Sequence, residues 1–131
     1  MRPAPGGPIE AIGTQEKIIM TSRICFVELP ARETGAMKSF YGSAFGFGMS
    51  DFGPSYACTL GNGVDLGVQA DRSEATAAPL AVIQVDNLAA AQAAVEAAGG
   101  RITRAIFSFP GGRRFHFRDP AGNELSAMQA D

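Results

Sequence analysis

The sequence predicts one α+β domain in which a βαβββ module occurs twice around a shared hollow. A strand, a helix and three short strand-like runs follow one another in each half of the chain, over about residues 21–72 and 79–131. Such internal repetition is stronger evidence than any single motif. One module alone would leave a face of its four-stranded sheet uncovered, so two modules pair around a common concavity. A chain of 131 residues with 46% hydrophobic residues suits a single domain.

The first module begins with a strand over residues 24–29. Apolar residues then recur at helical spacing from Ala36 to Phe45, and Gly46 ends the predicted helix. Three short strand-like runs follow, at residues 47–52, 56–60 and 64–70. The Gly61-Asn62-Gly63 sequence before the last run is typical of a hairpin turn.

The second module repeats this order. A strand over residues 80–85 precedes Asp86 or Asn87, either of which can cap a helix. The helix has an apolar stripe beginning at Leu88, and Gly99 ends it. Three further strands are predicted at residues 101–107, 114–118 and 123–128. The Pro120-Ala121-Gly122-Asn123 sequence before the last strand predicts a tight turn.

Residues 1–20 contain three prolines and three glycines without a periodic apolar pattern, which predicts a disordered or loosely ordered tail. Residues 21–131 are predicted to form the domain. The chain has no apolar run near the about 18 residues that span a bilayer, and no signal-peptide core. We therefore expect a cytoplasmic protein without a membrane partner. Cys25 lies among apolar residues and is predicted to be a buried free thiol.

The charge pattern argues against a nucleic-acid partner, because the formal net charge is −2 and only 18% of residues are charged. Five of the eleven basic residues lie between Arg101 and Arg118. They form either a local anion-binding patch or the solvated face of a strand.

Three sequence strings, in this order, carry a family resemblance. They are Val27-Glu28-Leu29-Pro30-Ala31 leading to Phe40-Tyr41 and Phe45-Gly46-Phe47, Val85-Asp86-Asn87-Leu88 leading to Ala97-Ala98-Gly99-Gly100, and Arg118-Asp119-Pro120-Ala121-Gly122-Asn123. Over about residues 21–129 the chain resembles the vicinal oxygen chelate superfamily, the glyoxalase/bleomycin-resistance/dioxygenase group, and most of all its small glyoxalase-like proteins. The resemblance implies a curved mixed sheet around a hollow for a metal, a ligand or both, and a homodimer.

The resemblance also implies where metal ligands would stand, on the first and last strands of each module. Those positions are Phe26, Leu80, Ser126 and a fourth near Gly67. Divalent metals of this kind prefer imidazole nitrogen or carboxylate oxygen, which these residues do not offer. The sequence therefore predicts neither a metal nor another cofactor, and leaves open whether the chain is an enzyme.

Strand alternation predicts which side chains face the hollow. If Phe26, Leu80 and Ser126 face it, every second neighbour does so too, whereas Cys25 faces the helices. The predicted ligand-binding residues are Phe26, Glu28, Leu80, Gln84, Arg114, His116, Glu124, Ser126 and Met128.

Two of these residues have open roles. Glu28 is costly to bury unless paired, so it either pairs with Arg114 or His116 or contacts a ligand. His116, the only histidine, would be a general base, a ligand donor or a structural residue. A metal site shifted by two residues, built from Glu28, His116 and Glu124, is a further alternative.

The function predicted from these residues is metal-free binding of a small molecule. One alternative is a lyase or dioxygenase-like enzyme of the same superfamily that acts on a small carbonyl or aromatic substrate, with Glu28 or His116 as the base. Another is a structural or regulatory dimer with a vestigial pocket.

Overall fold

The computed structural model describes residues 21–131, so the predicted tail over residues 1–20 lies outside the described residues. The elements are β1 (Ser22–Pro30), α1 (Thr34–Phe45), β2 (Met49–Asp51), β3 (Tyr56–Thr59), β4 (Asp65–Gln69), β5 (Leu80–Val85), α2 (Leu88–Ala97), β6 (Arg101–Phe109), β7 (Gly112–Arg118) and β8 (Glu124–Ala130). This order confirms the repeated βαβββ module.

All eight strands belong to one curved, open sheet in the order β2-β3-β4-β1-β5-β8-β7-β6. Within each module the first strand pairs in parallel with the last, β1 with β4 and β5 with β8. The antiparallel pair of β1 and β5 joins the two modules at the centre. The sheet is therefore mixed, as predicted. Within residues 21–131 the edge strands of the sheet are β2 and β6. Homodimer formation stays a prediction.

Side-chain caps fix where both helices begin. Glu33 directly precedes the first residue of α1, and its carboxylate accepts a hydrogen bond from the backbone N–H of Ala36 at 3.1 Å. Asn87 Oδ1 accepts one from the N–H of Ala90 at 3.0 Å, so Asn87 rather than Asp86 caps α2. Gly46 ends α1 with φ of +74°, a conformation that favours glycine. No helix within residues 21–131 is long and apolar enough to cross a membrane.

The two faces of the sheet carry separate apolar clusters. One packs under α2 and is centred on Phe115 and Phe117, with Val85, Leu88, Ala91 and Ala127. The other lies on the concave face and consists of Cys25, Leu80, Val82 and Met128, with Phe26 and Phe109 packed against it. The second cluster forms the base on which the candidate site is built.

The structure corrects the predicted orientation of Cys25. Ile24 pairs with Ile83 and Phe26 pairs with Val82, so Cys25 is an extra residue in β1. Such a β-bulge interrupts the strict alternation of side chains. Cys25 therefore packs with the concave-face cluster instead of facing the helices, and its thiol donates to the Val82 carbonyl oxygen at 3.4 Å. It is a buried free thiol, as predicted.

The turn between β7 and β8 is closed by one carboxylate. Asp119 Oδ1 accepts hydrogen bonds from the N–H groups of Ala121 and Asn123, both at 2.9 Å, and Oδ2 accepts one from Asn123 Nδ2 at 3.0 Å. The bonds from the Asn123 side chain and backbone lower the pKa of Asp119 below its usual value. Gly122 has φ of +91°, which the turn requires. The turn sets the register in which His116 lies opposite Ser126.

Candidate ligand-binding site

A cavity of about 520 Å³ opens on the concave face, between β1, β3 and β4 on one side and β6 and β7 on the other. This volume is within the range of small-molecule sites, roughly 300–1,000 Å³. Its lining includes five aromatic residues, namely Phe26, Phe52, Tyr56, Phe107 and Phe109. The cavity can therefore surround a flat organic molecule with ring faces and edges.

Of the nine predicted ligand-binding residues, Phe26, Glu28 and Arg114 line this cavity. The other six share the strands of the sheet without lining the cavity, namely Leu80, Gln84, His116, Glu124, Ser126 and Met128. Leu80 and Met128 belong to the apolar cluster against which Phe26 and Phe109 pack. A role for these residues in ligand binding stays a prediction.

A buried ion pair crosses the concave face. Arg114 Nη1 donates to Glu28 Oε2 at 3.3 Å and Nη2 donates to Oε1 at 3.4 Å. Both residues are 3% exposed. Glu28 lies on β1 and Arg114 on β7, with β5 and β8 between them in the sheet. Of the two open roles of Glu28, the structure shows pairing with Arg114, which compensates the cost of burying a carboxylate.

Tyr56, which is not among the residues predicted from the sequence, completes this cluster. Its hydroxyl donates to Glu28 Oε2 at 2.9 Å. Burial and the adjacent Glu28 carboxylate raise the pKa of Tyr56 far above its ordinary value, so the phenol stays neutral and keeps its proton. Alternation along β3 would have placed Tyr56 on the same face as Cys58, and both residues line the cavity.

Gly67 makes room for the Tyr56 ring. It pairs with Glu28 of β1 on one side and with Cys58 of β3 on the other. A Cβ atom at this position would lie 2.5 Å from Tyr56 Oη and 3.2 Å from Cζ. The phenol thus occupies the space that a side chain at residue 67 would fill, and the glycine lets it reach Glu28.

His116 belongs to a second polar cluster, behind Phe107. Its Nδ1 lies 3.3 Å from Glu124 Oε2, to which Thr103 Oγ1 also donates at 3.2 Å. Burial, followed by the positive charge of Arg114, lowers the pKa of His116 and outweighs the opposite effect of Glu124. The network therefore assigns a neutral ring whose Nδ1–H donates to the carboxylate.

We expect the imidazole of His116 to titrate below its ordinary pKa of 6.5, because burial and Arg114 disfavour the charged ring. The unfolded chain then binds more protons than the folded one between the two pKa values, so stability is complete above 6.5 and falls as the pH drops through this window. Proton NMR of the only histidine measures the pKa directly. A pKa above 6.5 would mean that the effect of Glu124 outweighs the effects of burial and of Arg114.

The mouth of the cavity carries an ion pair between the second module and the segment that joins the two modules. Arg104 Nη1 of β6 donates to Glu74 Oε1 at 2.8 Å, and both side chains are about a third exposed, at 39% and 33%. The guanidinium carbon of Arg104 also lies 3.5 Å from the ring centroid of Phe107. The lining as a whole is negative, with four carboxylates and two guanidinium groups: Glu28, Asp65, Asp71, Glu74, Arg104 and Arg114.

The residues at the positions where the resemblance implies metal ligands do not fit a metal ion. Phe26 and Leu80 have no side-chain donor atom, nor has Gly67, near which the fourth position was expected, and Ser126 Oγ already donates to the Phe115 carbonyl oxygen at 3.0 Å. Within residues 21–131 no three His, Cys, Asp or Glu side chains come together to hold an ion. The alternative site of Glu28, His116 and Glu124 is therefore wrong for the described residues, since Glu28 pairs with Arg114.

A sequence model of the Glyoxalase/Bleomycin resistance protein/Dioxygenase superfamily matches residues 23–126. The chain belongs to this superfamily. The match confirms the resemblance carried by the three sequence strings and covers nearly all of the described domain. No curated protein matches the chain at a significant level.

Several solved structures have a fold similar to that of this domain. A structure titled NAD-dependent benzaldehyde dehydrogenase from Legionella pneumophila has 16% identity and a TM-score of 0.69, over 81% of this chain and 98% of that one. Methylmalonyl-CoA epimerase from Mycobacterium tuberculosis has 13% identity and a TM-score of 0.65, over 82% and 87%. An Mn(II)-bound glyoxalase from Novosphingobium aromaticivorans has 24% identity and a TM-score of 0.57, over 83% and 40%. At these identities the likeness shows the fold alone.

Proposed function

We propose that this superfamily member binds a small organic molecule with a flat aromatic body in the 520 Å³ cavity, without a metal ion. The observation that carries the proposal is an aromatic cavity whose central polar groups already pair with one another. Both oxygens of Glu28 accept hydrogen bonds at the cavity wall, from the Nη1 and Nη2 atoms of Arg114 and from the Tyr56 hydroxyl. The cavity thus presents aromatic rings and apolar surface to a ligand, rather than an open metal-coordination site.

The electrostatics of Glu28 supports the absence of a metal. A carboxylate that binds a divalent ion must turn its oxygens toward that ion. Here the Arg114 guanidinium binds both oxygens and supplies the positive charge, and both residues are 3% exposed. A divalent ion beside Glu28 would repel the buried guanidinium at short range. The chain thus carries its own cation next to its best potential metal ligand.

Binding is favoured over catalysis by the state of the two candidate bases. Both oxygens of Glu28 are hydrogen-bonded within the protein. His116 donates Nδ1–H to Glu124 and does not line the cavity. A general base must reach the proton that it removes. Glu28 lines the cavity but is engaged by Arg114 and Tyr56, and Phe107 stands between His116 and the cavity, so we favour sequestering or sensing a ligand over catalysis.

A thermal-shift screen of aromatic compounds on the full chain tests this function. A compound present at 100 times its Kd adds about 2.7 kcal/mol of stability, which raises the Tm of a domain of this size by about 10 °C. Phe52→Ala should reduce the shift, because this half-exposed ring lines the cavity. Phe40→Ala is the matched control, since its similarly exposed ring lies on α1 outside the cavity lining.

Two results would contradict the proposal. One is a screen in which no aromatic compound raises the Tm. The other is a set of shifts that a chelator abolishes and that zinc, manganese, nickel or iron restores.

A further inference from the structure

Two buried nitrogen atoms next to the cavity have no hydrogen-bond partner within residues 21–131, namely Arg114 Nε and His116 Nε2. Each of these residues is 3% exposed. They stand two positions apart on β7, and therefore on the same face of the sheet. Buried polar atoms without partners are rare in native proteins and unfavourable, so a polar group that pairs with these two atoms would be bound favourably.

The Phe107 ring contacts both side chains. Its centroid lies 5.6 Å from that of the His116 ring and 5.4 Å from the guanidinium carbon of Arg114. Phe107 lines the cavity, whereas His116 does not. The ring thus separates the histidine from the cavity.

The Arg104 side chain covers one side of this ring. Arg104 lies over Phe107 at 3.5 Å and is itself held by Glu74, in an ion pair that is about a third exposed. Exposed ion pairs contribute little to stability, so this cover can open at small cost. Rotation of Phe107 would connect the two unpartnered nitrogen atoms with the cavity.

The two nitrogen atoms require different hydrogen-bond partners. Arg114 Nε carries a hydrogen and can only donate. His116 gives its Nδ1–H to Glu124, so its Nε2 has a free lone pair and can only accept. A ketone or ether would satisfy the arginine alone, and an ammonium group the histidine alone. A hydroxyl group serves both, because it accepts one hydrogen bond and donates another.

We infer that an uncharged hydroxyl group on an aromatic ligand binds behind Phe107, accepting a hydrogen bond from Arg114 Nε and donating one to His116 Nε2. This inference rests on the proposed function, because the aromatic body of the same ligand fills the cavity. It adds a polar subsite that selects phenol-like compounds over their ethers and hydrocarbons. A carboxylate is disfavoured there, since it lacks the proton that His116 requires and approaches the negative Glu28.

Three probes of nearly equal shape test the subsite on the full chain: 2-naphthol, 2-methoxynaphthalene and 2-methylnaphthalene. Their Kd values are read from the change in naphthalene fluorescence on binding. The account predicts that 2-naphthol binds at least about tenfold more tightly than either of the others, since only it can pair both nitrogen atoms. His116→Leu should reduce the difference in Kd between 2-naphthol and the two other probes, because it removes the hydrogen-bond acceptor.

Nitrogen-15 NMR of the unaltered protein gives a second measurement that does not depend on a variant folding. The chain has one histidine, so its Nε2 signal is unambiguous. We expect 2-naphthol to move this signal upfield, as an accepted hydrogen bond requires, and the two other probes to leave it in place.

The outcomes separate the two proposals. Equal Kd values for the three probes with an unmoved Nε2 signal overturn the subsite, because a water molecule then serves the two atoms, while binding in the cavity stands. A 2-methoxynaphthalene affinity equal to that of 2-naphthol also overturns it. If none of the three probes binds, the proposal of an aromatic-ligand cavity is itself contradicted.

Discussion

Glu28→Gln is expected to lower the free energy of unfolding by about 3–5 kcal/mol, because it leaves the Arg114 guanidinium buried without a counter-charge. Glu28 is the carboxylate of the ion pair, and the glutamine side chain has almost the same shape. The loss would therefore come from the charge and not from a cavity. Urea unfolding at pH 7 measures it as a lower midpoint at unchanged slope.

Two control variants show whether burial is the cause. Asp51→Asn removes one partner of the Lys38–Asp51 ion pair, which is 2.9 Å long and has side chains that are 33% and 56% exposed, and should cost less than about 1 kcal/mol. The double variant Glu28→Leu with Arg114→Met replaces both charges by apolar groups and should be more stable than Glu28→Gln. A Glu28→Gln loss no larger than that of Asp51→Asn would contradict the assignment of a buried, paired Glu28.

Gly67→Ala is expected to lower the free energy of unfolding by about 2–4 kcal/mol. The new methyl group would stand 2.5 Å from Tyr56 Oη, so the phenol must move away from Glu28. The variant combines the strain of overpacking, about 1–3 kcal/mol, with the loss of a hydrogen bond to a charged group, about 1.5–3 kcal/mol, and partial relaxation reduces the total. The same urea unfolding experiment measures it.

Gly48→Ala is the matched control, because a Cβ atom at Gly48 has no atom within 4 Å. Its effect should remain within about 0.5 kcal/mol. In a Tyr56→Phe background, Gly67→Ala should cost less than in the unaltered chain, since the hydroxyl closest to the methyl group is absent. If Gly67→Ala is tolerated as well as Gly48→Ala, the Tyr56 ring does not lie over this glycine.

The fold could be predicted from the sequence because its signals are local and occur twice. The helix stops at Gly46 and Gly99, the cap at Asn87 and the turn at Asp119 each depend on neighbouring residues. Alternation along β1 and β7 placed Phe26, Glu28 and Arg114 on the face where the cavity opens. These signals follow from local backbone geometry, so they can be recognised in the sequence without knowledge of the whole fold.

The extent of the cavity could not be read in this way. Alternation tells which face of the sheet a residue occupies, whereas the cavity covers only part of that face. Leu80 and Met128 lie on the central strands, where Phe26 and Phe109 pack against them and separate them from the opening. The bulge at Cys25 shifts the alternation of β1 without any residue in the sequence that marks it.

The Glu28–Arg114 pair likewise depends on the curvature of the sheet. The two residues are 86 positions apart, on strands that are not neighbours. A local reading can give each residue its face but cannot choose between Arg114 and His116 as the partner of Glu28. Tyr56 reaches the cluster because its phenol occupies the space that a side chain at Gly67 would fill. Only the packed structure shows this arrangement.

The central claim is that this superfamily member binds an aromatic molecule in the cavity without a metal. The most direct test is a crystal structure of the full chain with the compound that gives the largest thermal shift. The account predicts the aromatic body in the cavity against Phe26, with the hydrogen bonds between Arg114 and Glu28 intact. A compound bound outside the cavity, or a metal ion coordinated by Glu28, would contradict it.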